Sequence, residues 1–420
     1  MNKKIKFSIL GCGSRGVDTY GKYMVSNPKK FKLVSVCDHT QAHLDKVTRV
    51  LGKCKTFLSD DKFLSKKRGD LLVLTSMDKD HYKHCKKALE LGYDVLLEKP
   101  ISSNAEELNE LLALQRQYHN KVLVCYVLKY SPLFTAAKEL LDSGAIGTLS
   151  SIQALEQARY DMFVHSYVRG RWADMNKTAP IILAKSSHDL DLIQWFADSK
   201  AINVQSSGRL NCFTPDKAPA DSSERCLDCK YCDECIYSAK KLYIDNWCAA
   251  GQPEDEYPYN TIDTAPINLN KIYDALNNKN YGKCVYKCGS NAYDSQSTII
   301  TFENGVIASF TMTGVSGAGG RVIKLYGSIG EIDIDEEHEK LILKKYGEKE
   351  QIIDYKVKNE SGLGYEHSLS DYNTVDALYD YLTTGRGCKT SLDESLKSHF
   401  IGIEAFKSCM NKENKDDKNN

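Results

Sequence analysis

Ile5-Lys6-Phe7-Ser8-Ile9-Leu10-Gly11-Cys12-Gly13-Ser14-Arg15-Gly16 is a short apolar run that breaks into three spaced glycines. Val17, Tyr20 and Met24 follow at helical spacing, so the stretch reads as strand, turn and helix. Gly11 allows the tight turn, Gly13 lets backbone approach a pyrophosphate, and Gly16 lets helix and strand pack closely. The helix start turns unpaired N–H groups and the positive end of its dipole toward an anion. Ser14 and Arg15 lie on the same turn and join the three glycines as candidate cofactor contacts. Phe31–Cys37 reads as the next strand, and Asp38 ends it about 20 residues beyond the turn, where a carboxylate accepts ribose hydroxyls. Such a carboxylate repels a 2′-phosphate, so NAD is expected over NADP, with His39 and the basic helix behind it leaving room for NADP.

Working outward, residues 71–75, 95–97 and 122–126 read as further buried strands. Helical patterns lie between them: His81, Cys85, Ala88 and Leu89, then Leu108, Leu111 and Leu112. Asn104 and Glu107 form a capping-box-like start for the last of these, and Gly92 ends the one before it. Apolar strands alternating with amphipathic helices imply a parallel sheet covered on both faces, so residues 1–126 are expected to form a doubly wound Rossmann domain in an α/β protein.

From 127 to 411 the pattern is that of an α+β domain. Residues 151–156 alternate like a half-buried strand, and 298–302 with 306–312 around Asn304-Gly305 make a hairpin. Residues 321–326, 331–334 and 340–344 continue an antiparallel sheet. Residues 212–285, rich in Cys, Asp, Pro and Tyr, read as an irregular insertion. Helices near 368–383 and 391–410 close the fold, and 412–420 read as a disordered tail.

At 420 residues the chain is long enough for two or three domains. Lys+Arg and Asp+Glu are 56 each, which removes the uniform positive field of a nucleic-acid binder. No targeting segment is visible and no run approaches the roughly 18 apolar residues of a membrane span. No nucleic acid and no membrane are therefore expected as partners. The odd count of 15 cysteines, most scattered through strand-like and helix-like segments, suits a reducing cytoplasm.

The strand 95–97 delivers Glu98-Lys99-Pro100 to the carboxyl edge of the sheet, where doubly wound folds place their ligands. A lysine there can hold a substrate hydroxyl or help move its proton; it can equally be a surface lysine before a loop. Thr75, Ser76 and His81, with Glu98 and Lys99, complete the candidate cofactor contacts. His188 lies in an apolar helix with Leu183, Leu190, Ile193, Trp195 and Phe196, where it is either a core histidine or a proton acceptor.

These motifs, in this order, resemble the Gfo/Idh/MocA family, the glucose–fructose oxidoreductase and inositol dehydrogenase relatives. The match runs from residue 4 to about 408: the glycine turn, Asp38, the stretch from Asp78 and His81 to Glu98-Lys99-Pro100, Gly144 to Gly147, His188 to Asp191, Phe302 to Gly305 and Tyr326 to Glu331. The resemblance implies an open, mostly antiparallel second sheet with one face on the cofactor, and a homodimer or homotetramer through the other. It implies a Lys99–Pro100 bond that is often cis, aiming Lys99 at the nicotinamide. His188 would act as general base, with Lys99 orienting the hydroxyl and lowering its pKa. Many members carry an acidic residue four positions before this histidine. Here that position is Ala184, with Lys185 as a replacement, which points to a subgroup with its own substrate. Asp191 either orients His188 or caps locally.

Tyr126, Arg169 and Trp172 combine donors with aromatic faces and are expected, with Lys99, Lys185 and His188, to line the substrate pocket. Cys226, Cys229, Cys232 and Cys235 form a run with three readings: a structural zinc, free or partly disulfide-linked thiols, or an iron–sulfur cluster. In each the cysteines staple the insertion. The expected function is NAD(H)-dependent interconversion of a secondary alcohol and a ketone on a sugar, inositol or related polyol. An NAD-dependent glycoside hydrolase on the same scaffold is the alternative, and a non-catalytic sugar or nucleotide sensor stands third.

Overall fold

The computed structural model describes residues 4–355 and 366–416, which build two sheets. The first contains β1 (Ile5–Leu10), β2 (Phe31–Cys37), β3 (Lys55–Phe57), β4 (Leu71–Leu74), β5 (Asp94–Leu97) and β6 (Val122–Val124), all parallel, in the order 3-2-1-4-5-6. Strand order reverses between β1 and β4, which leaves a crevice at their carboxyl ends. Every residue of β4 and β6 is buried, as strands covered on both faces must be.

The second sheet holds β7 (Leu149–Arg159), β8 (Ala201–Arg209), β9 (Ser295–Phe302), β10 (Ile307–Ser316), β11 (Gly320–Gly327), β12 (Gly330–Asp335), β13 (Lys340–Lys345) and β14 (Gln351–Ile352). Its order is 14-13-12-11-7-10-9-8, antiparallel except where β7 meets β10. Gly305, at φ +89°, makes the expected β9–β10 turn with the left-handed backbone that glycine tolerates.

Three strands were not legible as such, one of them the exposed two-residue β14. β3 is short, with Lys55 and Thr56 exposed, and β8 is an edge strand of mostly polar residues. The closing helix Leu392–Asp416 covers β8 and supplies a partner to it, since Ser206 N donates to Ser408 Oγ at 2.9 Å. That helix also corrects the expected tail. The chain stays helical through Asp416, with no glycine or proline to stop it, while 417–420 lie outside the described residues.

The helix Glu366–Thr384 returns to the first sheet, burying Val375, Leu378 and Tyr379 beside Phe31, Phe7 and Tyr20. The insertion is more regular than its composition suggests. Leu269–Asn278 is a helix capped by the Asn268 side chain, with Ile272, Ala275 and Leu276 buried. Tyr243, Tyr257 and Tyr281 pack their rings around His165.

Candidate active site

The glycine turn joins β1 directly to the helix Arg15–Gly21. Gly11 has φ +98°, and a Cβ on Gly16 would fall 2.2 Å from Gly11 O, so neither position accepts a side chain. Nothing lies within 4 Å of a Cβ built on Gly13, which leaves its backbone open to a ligand. Thr75 Oγ1 donates to Gly11 O at 2.6 Å and ties β4 to the turn. Asp38 accepts from Cys12 N at 2.7 Å, Thr40 N at 2.9 Å and His43 Nδ1 at 3.0 Å. Burial pushes its carboxyl up, but these hydrogen bonds, led by His43, outweigh it and hold Asp38 below the usual range. The carboxylate is thus fixed and ionised beside the turn. We expect Asp38→Ala to narrow the NAD-over-NADP affinity ratio by about tenfold, read by titration of both cofactors; an unchanged ratio removes its specificity role.

Several expected cofactor contacts turn out to brace the crevice. Glu98 is buried and accepts from Arg15 Nε at 2.6 Å, Tyr20 Oη at 2.8 Å and Lys99 N at 3.0 Å. Arg15 also pairs with Asp371 at 2.8 Å, so its guanidinium is committed to two carboxylates. His81, 2% exposed, spans Ser76 O at 2.9 Å and Pro100 O at 2.7 Å, joining the two loops at the sheet edge. It is a tie between loops and presents no free ring atom to a ligand.

The Lys99–Pro100 peptide is cis. Lys99 Nζ donates across the crevice to Ala184 O at 2.7 Å, in the short helix Ile181–Ala184 just before the helix Ser187–Ala197 that carries His188. Burial lowers the Lys99 pKa to about 8; Glu98 opposes this, and Lys185 adds to it. His188 is half-buried, with the Tyr126 ring edge-on at 5.8 Å. Asp191 pairs with Lys129 at 2.9 Å and accepts from Ser398 Oγ at 2.9 Å, a local anchor for the helix.

Lys185 does not act alone in place of the absent acid. Its Nζ lies 2.5 Å from Glu156 Oε1, and Glu156 Oε2 lies 3.0 Å from Arg321, which also meets Asp189 at 2.7 Å and Glu336 at 3.1 Å. Burial pushes Asp189 up to about 7 against the pull of Arg321, while Arg321 and Lys185 more than offset burial at Glu156 and hold it low. Glu156 and Arg321 were missed in the sequence, yet a signal existed. Both share the buried parity of their strands, with Ile152 and Ala154 in β7 and Ile323 and Leu325 in β11.

Two expected site residues, Tyr126 and Arg169, sit elsewhere, while Trp172 stays at the crevice edge. Tyr126 is fully buried and its hydroxyl bonds His399 Nδ1 at 2.7 Å, so it supports His188 and offers nothing to a substrate. Burial lowers the His399 pKa to about 4, and as a neutral ring it donates from Nε2 to Ser102 O. Arg169 is 1% exposed and donates to Lys283 O at 2.9 Å and Tyr237 O at 2.7 Å, stapling the insertion. Trp172 Nε1 donates to Asp78 Oδ2 at 3.3 Å, which places it at the junction of the two sheets.

Cys226, Cys229, Cys232 and Cys235 line one small cavity with Cys284 and Arg169. All 15 cysteines are free thiols. Among the described residues no three His, Cys, Asp or Glu side chains are grouped to hold a metal ion, so the zinc expectation is corrected. One reason lies in the spacing, since two residues between the CxxC pairs leave little chain to turn four sulfurs onto one point. Arg169 Nη2 also lies 3.3 Å from Cys226 Sγ, where its hydrogen occupies that sulfur.

A parallel sheet of this order with a glycine turn, a strand-end aspartate and a lysine bonded to the segment just before a histidine is the arrangement of an NAD-binding oxidoreductase. The chain belongs to the Gfo/Idh/MocA oxidoreductase family: residues 5–126 match its NAD-binding Rossmann fold and residues 138–415 its C-terminal alpha/beta domain. It is 22% identical over 327 residues to the oxidoreductase YteT of Bacillus subtilis (strain 168), covering 72% of this chain and 71% of that one. It is 22% identical over 217 residues to scyllo-inositol 2-dehydrogenase (NAD(+)) of the same organism, covering 50% of this chain and 59% of that one. An oxidoreductase from Agrobacterium radiobacter, solved with NAD+, L-tartaric acid and magnesium, superimposes with a TM-score of 0.68 over 97% of both chains at 14% identity, a likeness of fold.

Proposed function

We propose that this oxidoreductase interconverts a secondary alcohol and a ketone on a sugar, inositol or related polyol, using NAD. The observation that carries the reading is the Lys99 Nζ–Ala184 O bond of 2.7 Å, which holds Lys99 one turn before His188 over the crevice. The bound nicotinamide supplies a hydride acceptor. His188 takes the hydroxyl proton, and the Lys99 ammonium holds the oxygen and stabilises the charge developing there. Gly11, Gly13, Ser14 and Gly16 would carry the pyrophosphate on backbone, with Asp38 on the adenine ribose. The inositol dehydrogenase among the relatives supports the polyol class. Exposed Ile202, Ile299 and Ile307 on β8, β9 and β10 support a homodimer or homotetramer, and the free thiols suit a cytoplasmic setting.

The test is a panel of sugars and polyols against purified protein, following nicotinamide reduction and released product together. Reduction with at least one polyol supports the reading. Release of a free sugar with no net reduction would replace it with glycoside hydrolysis through transient oxidation.

Lys99 acts as a cation, so activity should fall as pH rises through about 8. Removing the neighbouring positive charge with Lys185→Met should move that limb upward by about one pH unit, because Lys185 depresses Lys99. A pH–rate profile of kcat/KM checks this, and a limb that stays in place contradicts it.

A further inference from the structure

Three side chains beside the crevice form a chain that the reaction above does not use. Ser76 Oγ lies 3.0 Å from His84 Nδ1, and His84 Nε2 lies 2.9 Å from Asp60 Oδ2. Ser76 follows β4, His84 comes from the helix His81–Glu90, and Asp60 opens the short helix after β3, so three separate segments converge. His84 is 3% exposed, whereas Asp60 reaches a surface groove lined by Lys83, Lys87 and Glu90.

The chain has a direction. Burial pushes the Asp60 carboxyl up, but the hydrogen bond from His84 and the N–H of Asp61 outweigh it and keep it ionised. A carboxylate only accepts, so the His84 ring carries a proton on Nε2, and in the neutral ring Nδ1 is a lone pair. Ser76 must then spend its one hydroxyl proton on Nδ1. What remains of Oγ for any ligand is acceptor capacity alone.

Ser76 is half-buried, and its neighbour Thr75 is bonded to Gly11 O, so it lies beside the glycine turn on the β4 side of the switch point. With the adenine ribose at Asp38 over β2, the β4 side takes the nicotinamide half. Phosphates only accept, and the donors on that half are the ribose hydroxyls and the carboxamide N–H. We propose that Asp60 and His84 are positioning residues that fix Ser76 as an acceptor-only contact for a ribose hydroxyl or carboxamide N–H of the nicotinamide half. The inference rests on the NAD-binding domain and is independent of the polyol substrate.

The test is binding, with ring 15N shifts as an independent readout. In the full-length protein the shifts of His84 should report hydrogen on Nε2. Asp60→Asn can donate from its amide and flip the ring to Nδ1–H, turning the Ser76 hydroxyl into the crevice as a donor. NAD+ affinity should then weaken about tenfold while ADP, which lacks the nicotinamide half, stays within about twofold. His84→Leu, which frees the hydroxyl to rotate, should weaken NAD+ about threefold with the same selectivity. Neither change should cost further affinity on a Ser76→Ala background. With 3-acetylpyridine adenine dinucleotide, a penalty that disappears identifies the carboxamide, and one that persists identifies the ribose; both support the proposal. Hydrogen on Nδ1 in the unaltered protein overturns it. So does equal weakening of NAD+ and ADP, unchanged NAD+ affinity in both variants, or a loss that survives in Ser76→Ala.

Discussion

Replacing Lys99 with alanine should lower kcat by about a thousandfold and leave NAD+ affinity within about a factor of three. The expectation follows from where the side chain goes. Its Nζ reaches over the crevice to Ala184 O, in the segment just before the helix that carries His188. The anion behind it does not depend on it, because Glu98 keeps Arg15 and Tyr20 as partners. Loss of the lysine therefore removes the group that holds the reacting oxygen without orphaning a buried charge. Steady-state rates with calorimetric NAD+ titration separate the two effects. Turnover that survives in Lys99→Ala would take this lysine out of the chemistry. A proportional loss of cofactor binding would make it a cofactor ligand.

Arg321→Met should destabilise the protein by about 3–5 kcal/mol. Arg321 is 4% exposed and is the shared partner of Glu156, Asp189 and Glu336. Without it, among the described residues, Asp189 is left with no ion-pair partner and Glu156 keeps Lys185 alone. Burying a carboxylate without a partner costs more than the pair contributed, which is why removing one member is severe. The urea midpoint should fall markedly. Activity should fall too in the folded fraction, since Asp189 adjoins His188 in the same helix. A midpoint within error of the unaltered protein would mean that the network carries little stability.

The parts of this site legible in the sequence are those built from one contiguous stretch. The glycine turn, Asp38 and Lys99 each stand at a strand end, and strand ends are readable because apolar runs stop there. Glu156, Arg321 and Asp189 come from segments far apart in the chain, and only strand register brings Arg321 opposite Glu156. Their trace in sequence is a charge on the buried parity of a strand, which is informative because unpaired burial is costly. Arg169 shows the converse. A loop dense in donors and aromatics has the composition of a sugar site, yet Arg169 Nε and Nη2 are spent on the carbonyls of the insertion. Composition reports what could bind, and partners decide what is free to. The cysteine run is similar, since four nearby thiols invite a metal, yet among the described residues they are not grouped to hold one. The polar edge strand β8 was hidden because few of its residues are apolar or buried, and the distant helix Leu392–Asp416 covers it.

The central claim is that Lys99 and His188 serve hydride transfer from a polyol carbon to NAD. The direct measurement is a single turnover of the NAD-loaded protein with inositols and sugars carrying deuterium at each carbinol carbon. The account predicts deuterium on the nicotinamide for at least one of them, and none with Lys99→Ala. Cofactor that stays free of deuterium with every substrate, in protein shown by calorimetry to hold NAD+, would contradict it.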